Sequence, residues 1–103
     1  MRIVALRDVR EFVDALDMPV RADVEGLMDL LKEYGHKLPM PYAKPIGKGL
    51  WELRRTGRPQ IRILYGFCGG DIVLVLSLQK QRSALRPKEI ATARERLRAY
   101  CAT

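Results

Sequence analysis

The sequence lacks long apolar segments, cysteine clusters and more than one histidine, and each absence excludes a class of protein. The longest uninterrupted apolar run, Ile72–Leu76, is too short to cross a bilayer. Two cysteines, Cys68 and Cys101, lack CxxC spacing, and a single histidine completes no zinc or redox ligand set. We therefore expect free thiols, no metal, no cofactor and no membrane partner.

The N-terminal segment also lacks the apolar region of an export signal. The first residues, MRIVALRDVREF, place Asp8 and Glu11 where a signal peptide needs that region, so we expect a cytoplasmic location. A length of 103 residues corresponds to one domain, residues 1–103, because chains commonly use about 100–200 residues per domain.

Acidic residues are scarce in the second part of the chain. Residues 1–47 contain 7 Lys/Arg and 8 Asp/Glu, whereas residues 48–103 contain 12 and 4, so the formal net charge of +7 comes from the second part. Basic charge confined to one part indicates a surface for a polyanion, with RNA or DNA as the first candidate. A soluble basic protein without such a partner is the alternative.

Residue periodicity predicts an α+β fold with the order β-α-α-β-β-β-α. Arg2–Leu6 is the first predicted strand, and we expect it to join the sheet. The helices of the following hairpin are predicted to begin at the caps Asp8 and Asp17, and the second ends at Gly35. His36–Lys48 contains three prolines and is predicted to be a connector without regular hydrogen bonding. The lone His36 within it is interpreted as a surface histidine.

The second part is predicted to form an antiparallel meander followed by a helix. Its strands are Leu50–Arg55, Gln60–Phe67 and Asp71–Gln79, and the last is apolar at nearly every position, as expected of a central strand covered on both faces. Pro87 begins the C-terminal helix, whose Ile90, Ala93, Leu97 and Tyr100 face inward. The overall prediction is a sheet with helices over one face.

Alternation of side chains places two arginines on the other face. Trp51 and Tyr65 belong to the inward sets of their strands, so Arg54 and Arg62 are predicted to project together from an open face. Glycine at position 66 would leave that face concave. Guanidinium groups match two phosphate oxygens and stay charged at cellular pH, which favours a phosphodiester ligand. A network of surface ion pairs with Glu52 is the alternative.

The ordered motifs resemble the RelE/ParE superfamily, and most closely its HigB-like, phage-derived branch of type II toxins. They are VREFVDAL, then LMDLLKEYGHKLPMPYAKPIGKGLWELR, then RILY, a Gly-Gly turn, an apolar strand ending in LQK, and a helix opening with PKEI. The resemblance covers essentially the whole chain. It implies a RelE-like fold, a cognate antitoxin of the helix-turn-helix type, and mRNA on the ribosome as substrate.

The activity that the resemblance implies is a metal-independent endoribonuclease in which the 2′-hydroxyl attacks the adjacent phosphate. Carried over by position, Arg54, Arg62 and Lys80 match basic positions of the family, and Arg82 stands in for a second lysine. We predict that Arg62 contacts the scissile phosphate and Arg54 the flanking backbone. Lys80 is predicted to be the general base or a charge stabiliser, because like charges lower the pKa of a lysine. Glu52 is the alternative base.

Further RNA contacts are predicted for Lys48, which precedes a strand, and for Tyr100, which lies near the aromatic position of the family's last helix. Core packing is the stronger interpretation for Tyr100, as it is for Trp51 and Tyr65. Two other functions remain open. One is a nucleic-acid-binding module without catalysis, and the other is a ParE-like poison that binds a DNA-processing enzyme.

Overall fold

Within the part of the chain that the structure describes, the fold is α+β, as predicted, and consists of one five-stranded sheet with three α-helices. A computed structural model describes residues 1–80 and 84–103. The elements are β1 (Arg2–Ala5), α1 (Arg7–Asp14), α2 (Met18–Tyr34), β2 (Ala43–Gly47), β3 (Leu50–Arg55), β4 (Gln60–Cys68), β5 (Asp71–Lys80) and α3 (Pro87–Cys101). The strands lie in the order β1-β5-β4-β3-β2. The RelE-like topology stays a prediction.

The sheet combines the predicted meander with one parallel strand. β3, β4 and β5 pair antiparallel in sequence order, and β1 adds to the free edge of β5 in parallel, which confirms that the first strand joins the sheet. The prediction that Asp71–Gln79 is the central strand is wrong, because β4 holds the middle position. β5 is nevertheless an interior strand, and Ile72–Val75 are fully buried, as its apolar sequence indicates.

The segment predicted to be an irregular connector contains a strand. β2 pairs antiparallel with β3, and Ala43 lies opposite Leu53. Proline is tolerated in β2 because this strand is at the edge of the sheet, where one row of backbone groups has no ladder partner. The turn to β3 uses positive φ at Gly47, Lys48 and Gly49. The three prolines therefore misled the assignment, and the glycine-flanked turn was the signal for a strand pair.

The helical hairpin covers one face of the sheet. Asp17 precedes α2 and Gly35 ends it with a φ of 54°, both as predicted, whereas α1 begins at Arg7 and Asp8 is inside its first turn rather than its cap. Apolar residues of both helices pack on the sheet residues that face them. We call this the hairpin-side face; its buried members include Leu53, Ile61, Ile63, Tyr65, Ile72 and Leu74. The predicted core positions of Tyr65 and, at the border of this core, Trp51 are confirmed.

The prediction that helices cover only one face is wrong, because α3 packs on the opposite face. We call it the α3-side face; its members on β3 and β4 are Leu50, Glu52, Arg54, Arg62, Leu64 and Gly66. Ala93 is buried there, and Leu97 lies so close to Gly66 that a Cβ at this position would overlap Leu97 Cδ2. The absent side chain at position 66 thus makes room for a helix, not for a concave open surface.

The thiols were expected to be free, and this expectation is wrong. Cys68 at the end of β4 and Cys101 at the end of α3 form a disulfide with a Cα–Cα distance of 5.7 Å. The sequence separation of 33 residues hid the pairing, since only the packing of α3 brings the two residues together. In residues 1–80 and 84–103, no helix has the length and apolar character needed to cross a membrane.

Candidate functional site

Arg54 and Arg62 are direct cross-strand neighbours on the α3-side face. Their Cα atoms are paired in the antiparallel register of β3 and β4, so both side chains leave the same face of the sheet, as alternation predicts. Like charges placed directly opposite each other in a sheet are destabilising. A compensating group is therefore required.

Glu52 is that group. One carboxylate oxygen lies 3.5 Å from Arg54 Nε and the other lies 3.7 Å from Arg62 Nε, so a single carboxylate bridges both guanidinium groups. Glu52 is two residues before Arg54 on the same strand, and it lies diagonally across from Arg62, which explains how it reaches both. We call Glu52, Arg54 and Arg62 the charged cluster.

The charged cluster is not on an open surface, and this corrects the prediction from alternation. The exposed fractions of the side chains are 4% for Glu52, 3% for Arg62 and 21% for Arg54. Only Arg54 therefore presents a substantial part of its side chain to solvent. Its buried Nε has no hydrogen-bond partner within residues 1–80 and 84–103, so the donor capacity of this guanidinium is not fully used.

Arg62 is fixed by protein acceptors rather than left available. Its Nη2 donates to the Gln60 side chain at 2.9 Å, and its Nη1 donates to the carbonyl groups of Arg55 and Ile61 at 3.2 and 3.3 Å. Together with Glu52, these acceptors surround the guanidinium group. The arrangement makes Arg62 a residue that holds the carboxylate of Glu52 in place.

Burial also alters the acid–base properties of the cluster. Removal from water raises the pKa of Glu52, although the nearby charges of Arg62 and Arg54 act in the opposite direction. Burial likewise lowers the pKa of Arg62, and the Glu52 carboxylate opposes that shift. A carboxylate with a raised pKa is a stronger base than an exposed one, so Glu52 has the property that a general base needs.

One family model matches the chain, and it covers most of its length. The family is described as Phage derived protein Gp49-like (DUF891), and the match extends over residues 11–98. The chain belongs to this family. It is a family associated with RelE-like and toxin-like proteins, which agrees with the predicted resemblance at the level of phage-derived, toxin-like proteins. The HigB-like branch stays a prediction. No curated protein matches the chain.

Lys80 of this Gp49-like protein is paired with a carboxylate. Its Nζ lies 2.5 Å from Glu89 Oε1, and only 12% of its side chain is exposed. Glu89 also accepts a hydrogen bond from the backbone N–H of Arg86 at 2.8 Å, so it connects the end of β5 to the start of α3. The role of Lys80 as a general base or charge stabiliser stays a prediction, and in the structure its ammonium group is directed to Glu89.

Two further predicted site residues, Lys48 and Tyr100, are not at the charged cluster. Lys48 is exposed in the turn between β2 and β3, and its carbonyl accepts a hydrogen bond from Arg94 at 3.3 Å. Tyr100 packs beside the α3-side core and donates to Asp71 at 2.7 Å, in line with its packing interpretation. His36 is exposed and stacks on Phe67, as expected of a surface histidine. Arg82 lies outside the described residues.

A groove that the sequence did not predict reaches Glu52 from the side of β2. Its walls are formed by β2 and by the residues around the start of α3: Lys44, Pro45, Ile46, Ala84, Leu85 and Ile90, with Glu52 between them. Lys44 lies directly opposite Glu52 in the pairing of β2 with β3. Lys44 was missed because its segment was interpreted as an irregular connector, which assigns no direction to side chains.

Proposed function

We propose that this Gp49-like protein is the toxin of a type II toxin–antitoxin pair and that it cleaves mRNA on the ribosome. The observation that carries the proposal is the bridging of two directly opposed arginines by a buried carboxylate. Charged groups are expensive to bury, and such groups with perturbed pKa values cluster at functional sites. Membership of a phage-derived, toxin-like family supports the class of function.

The proposed chemistry assigns a separate role to each member of the charged cluster. Glu52 accepts the proton of the 2′-hydroxyl as its oxygen attacks the adjacent phosphorus. Arg54, the partly exposed arginine of the cluster, binds the phosphate oxygens that gain negative charge in the transition state. Arg62 acts through Glu52 as a positioning residue.

This reaction leaves characteristic ends on the RNA. The new bond joins the 2′-oxygen to phosphorus, the bond from phosphorus to the 5′-oxygen breaks, and the departing oxygen takes a proton from solvent. The products are a 2′,3′-cyclic phosphate and a 5′-hydroxyl. No redox step is involved, and the proposed roles of Glu52, Arg54 and Arg62 do not call for a metal ion.

The proposal is tested by induced expression of wild type, Arg54→Ala and Glu52→Gln, followed by mapping of RNA fragments that carry 5′-hydroxyl ends. We expect wild type to cut within translated codons. In both variants the amount of cleavage should fall at least about tenfold, since one well-placed charge or general base accelerates such a reaction by a factor of about 10²–10⁴. Arg55→Ala is the matched control, because Arg55 is the next residue but pairs with Asp23 at 2.9 Å.

Uncut RNA after induction of folded wild type would overturn the ribonuclease proposal. The burial of Glu52 and Arg62 favours one of the alternatives, a nucleic-acid-binding module in which the cluster is only structural. That alternative predicts salt-dependent RNA binding without cleavage. A DNA-damage response instead of cleavage would indicate the ParE-like function.

We also propose a separate antitoxin, a helix-turn-helix protein, as the partner of this toxin. The excess of cations in residues 48–103 supports an acidic contact surface on that partner. Co-expression with the product of an adjacent gene should restore growth. The two proteins should copurify as a complex. Persistent growth arrest with every adjacent small gene would contradict the partner proposal and leave the cleavage test unaffected.

A further inference from the structure

The groove beside Glu52 combines three features that suit one nucleotide of an RNA chain. Its apolar wall is formed by aliphatic side chains of two separate elements, Ile46 on β2 and Leu85 and Ile90 near the start of α3. Its charged side carries Lys44, which is exposed. Glu52 forms the inner end. An apolar wall, a cation and a carboxylate in one groove match a base, a phosphate and a ribose hydroxyl.

We propose that this groove binds the nucleotide whose 2′-hydroxyl transfers its proton to Glu52, with Lys44 on its backbone phosphate and Ile46, Leu85 and Ile90 against its base. The inference rests on the proposed function and adds to it a binding subsite for single-stranded RNA. Both edges of the groove belong to the described residues. Lys44 forms no ion pair or side-chain hydrogen bond within them.

Charge and position favour a nucleotide over other occupants. Lys44 and Glu52 are directly paired across β2 and β3, so their side chains leave the same face of the sheet as neighbours. Arg54 lies two residues further along β3, on the same face of the sheet, where it can contact the next phosphate of the RNA strand. Alternating cations and apolar surface is the arrangement that single-stranded nucleic acid binds, because the backbone meets the charges and the bases meet the apolar surface.

The groove also explains how a buried carboxylate could act on a substrate. Glu52 is only 3% exposed as a residue, yet it is part of the groove wall. Access from the β2 side passes the start of α3, whose later residue Leu97 covers the Gly66 end of the same face. A nucleotide that fills the groove would exclude water from Glu52 and strengthen its interactions with the substrate.

RNA binding is the first test, measured on the Glu52→Gln variant so that cleavage does not interfere. The probe is a fluorescent single-stranded RNA of mixed sequence, and anisotropy is recorded over a range of salt concentrations. Lys44→Ala in this background should weaken binding and should reduce the slope of log K against log salt by about 0.7, as loss of one phosphate contact to a single strand does. Lys32→Ala, on α2 away from the groove, should leave the slope unchanged.

A steric variant provides an independent test. Ala84→Trp adds a large side chain at the exposed edge of the groove without removing any core residue, so it should reduce both RNA binding and cleavage at least about tenfold. Ala99→Trp is the matched control, because Ala99 is exposed near the far end of α3. Thermal unfolding of both variants checks that the fold is retained.

Failure of this inference and failure of the proposed function give different results. If wild type cleaves RNA and both Lys44→Ala and Ala84→Trp cleave and bind like wild type, the groove assignment is overturned while the ribonuclease remains. If wild type binds RNA without cutting it and the two variants weaken binding, the subsite stands and the catalytic proposal is overturned. If wild type neither binds nor cuts RNA, both are overturned.

Discussion

The two faces of the β3–β4 hairpin use the same backbone and are both buried, yet they differ in chemistry. On the hairpin-side face Leu53, Ile63 and Tyr65 are each 1–2% exposed. On the α3-side face Glu52 and Arg62 are both 3% exposed, one residue away along the same strands. The two faces therefore do not differ in their degree of burial. They differ in the free energy that burial of their side chains costs.

The comparison shows that stability alone accounts for only one of the two faces. Burial of an apolar side chain stabilises a fold by about 1.5–3 kcal/mol, so the hairpin-side face needs no further explanation. A buried ion pair gains little over apolar residues of similar volume, and its replacement by them is often neutral or stabilising. The charged cluster is therefore the part of this hairpin that stability alone does not explain.

The largest expected effect is the loss of stability when a buried arginine, rather than an exposed one, is replaced by alanine. Arg62→Ala removes one partner of Glu52 and should lower the free energy of unfolding by about 3–5 kcal/mol, because breaking a buried pair leaves charge uncompensated. Urea unfolding measures the loss. Arg98→Ala is the control, since the side chains of Arg98 and Glu95 are 69% and 64% exposed, and no measurable shift of the urea midpoint is expected. Equal losses of stability in Arg62→Ala and Arg98→Ala would contradict the assigned difference between a buried and an exposed ion pair.

The hairpin-side face should respond to alkaline pH. Burial raises the pKa of Tyr65 to about 12 from 10.0, so the unfolded chain ionises first. The stabilising contribution is complete below about pH 10 and is lost as the pH rises toward 12, by about 2–3 kcal/mol for two pKa units. Chemical unfolding at a series of pH values measures it. Tyr65→Phe should flatten this part of the profile, and an unchanged slope in that variant would disprove the assignment to Tyr65.

The smallest expected effect on stability is at Gly66, in the apolar end of the α3-side face. Gly66→Ala would overlap Leu97 and place its Cβ 3.1 Å from the Gly49 carbonyl oxygen, so it should lower the free energy of unfolding by about 1–3 kcal/mol. Gly26→Ala is the control, since a Cβ there meets nothing within 4 Å and alanine should stabilise α2 by up to about 1 kcal/mol. A stabilising Gly66→Ala would mean that α3 does not pack tightly on this face.

Local patterns predicted most of the elements. The bounds of β3 are those predicted, and α2 ends at Gly35 because a positive φ favours glycine there. Alternation also predicted that Arg54 and Arg62 share a face, since the period of a strand is a local property. These features depend only on residues that are near each other in the sequence.

The errors with the largest consequences concern which elements cover each face of the sheet. Burial of every residue from Ile72 to Val75 requires cover on both faces of β5, so the apolar run already contradicted the predicted open face. The space for Leu97 at Gly66 and the pairing of Cys68 with Cys101 depend on where α3 docks. No short segment contains that information.

The sequence by itself determined β1, β3, β4 and β5, the helical hairpin and the shared direction of Arg54 and Arg62, because periodicity and turn residues act over a few positions. Only the tertiary structure decided that Arg62 is enclosed, that Glu52 bridges both arginines, and that a groove from β2 reaches this carboxylate. The physical reason is that burial and electrostatic partners are set by contacts between segments distant in the chain. Those contacts exist only once α3 and β2 have taken their places against the sheet.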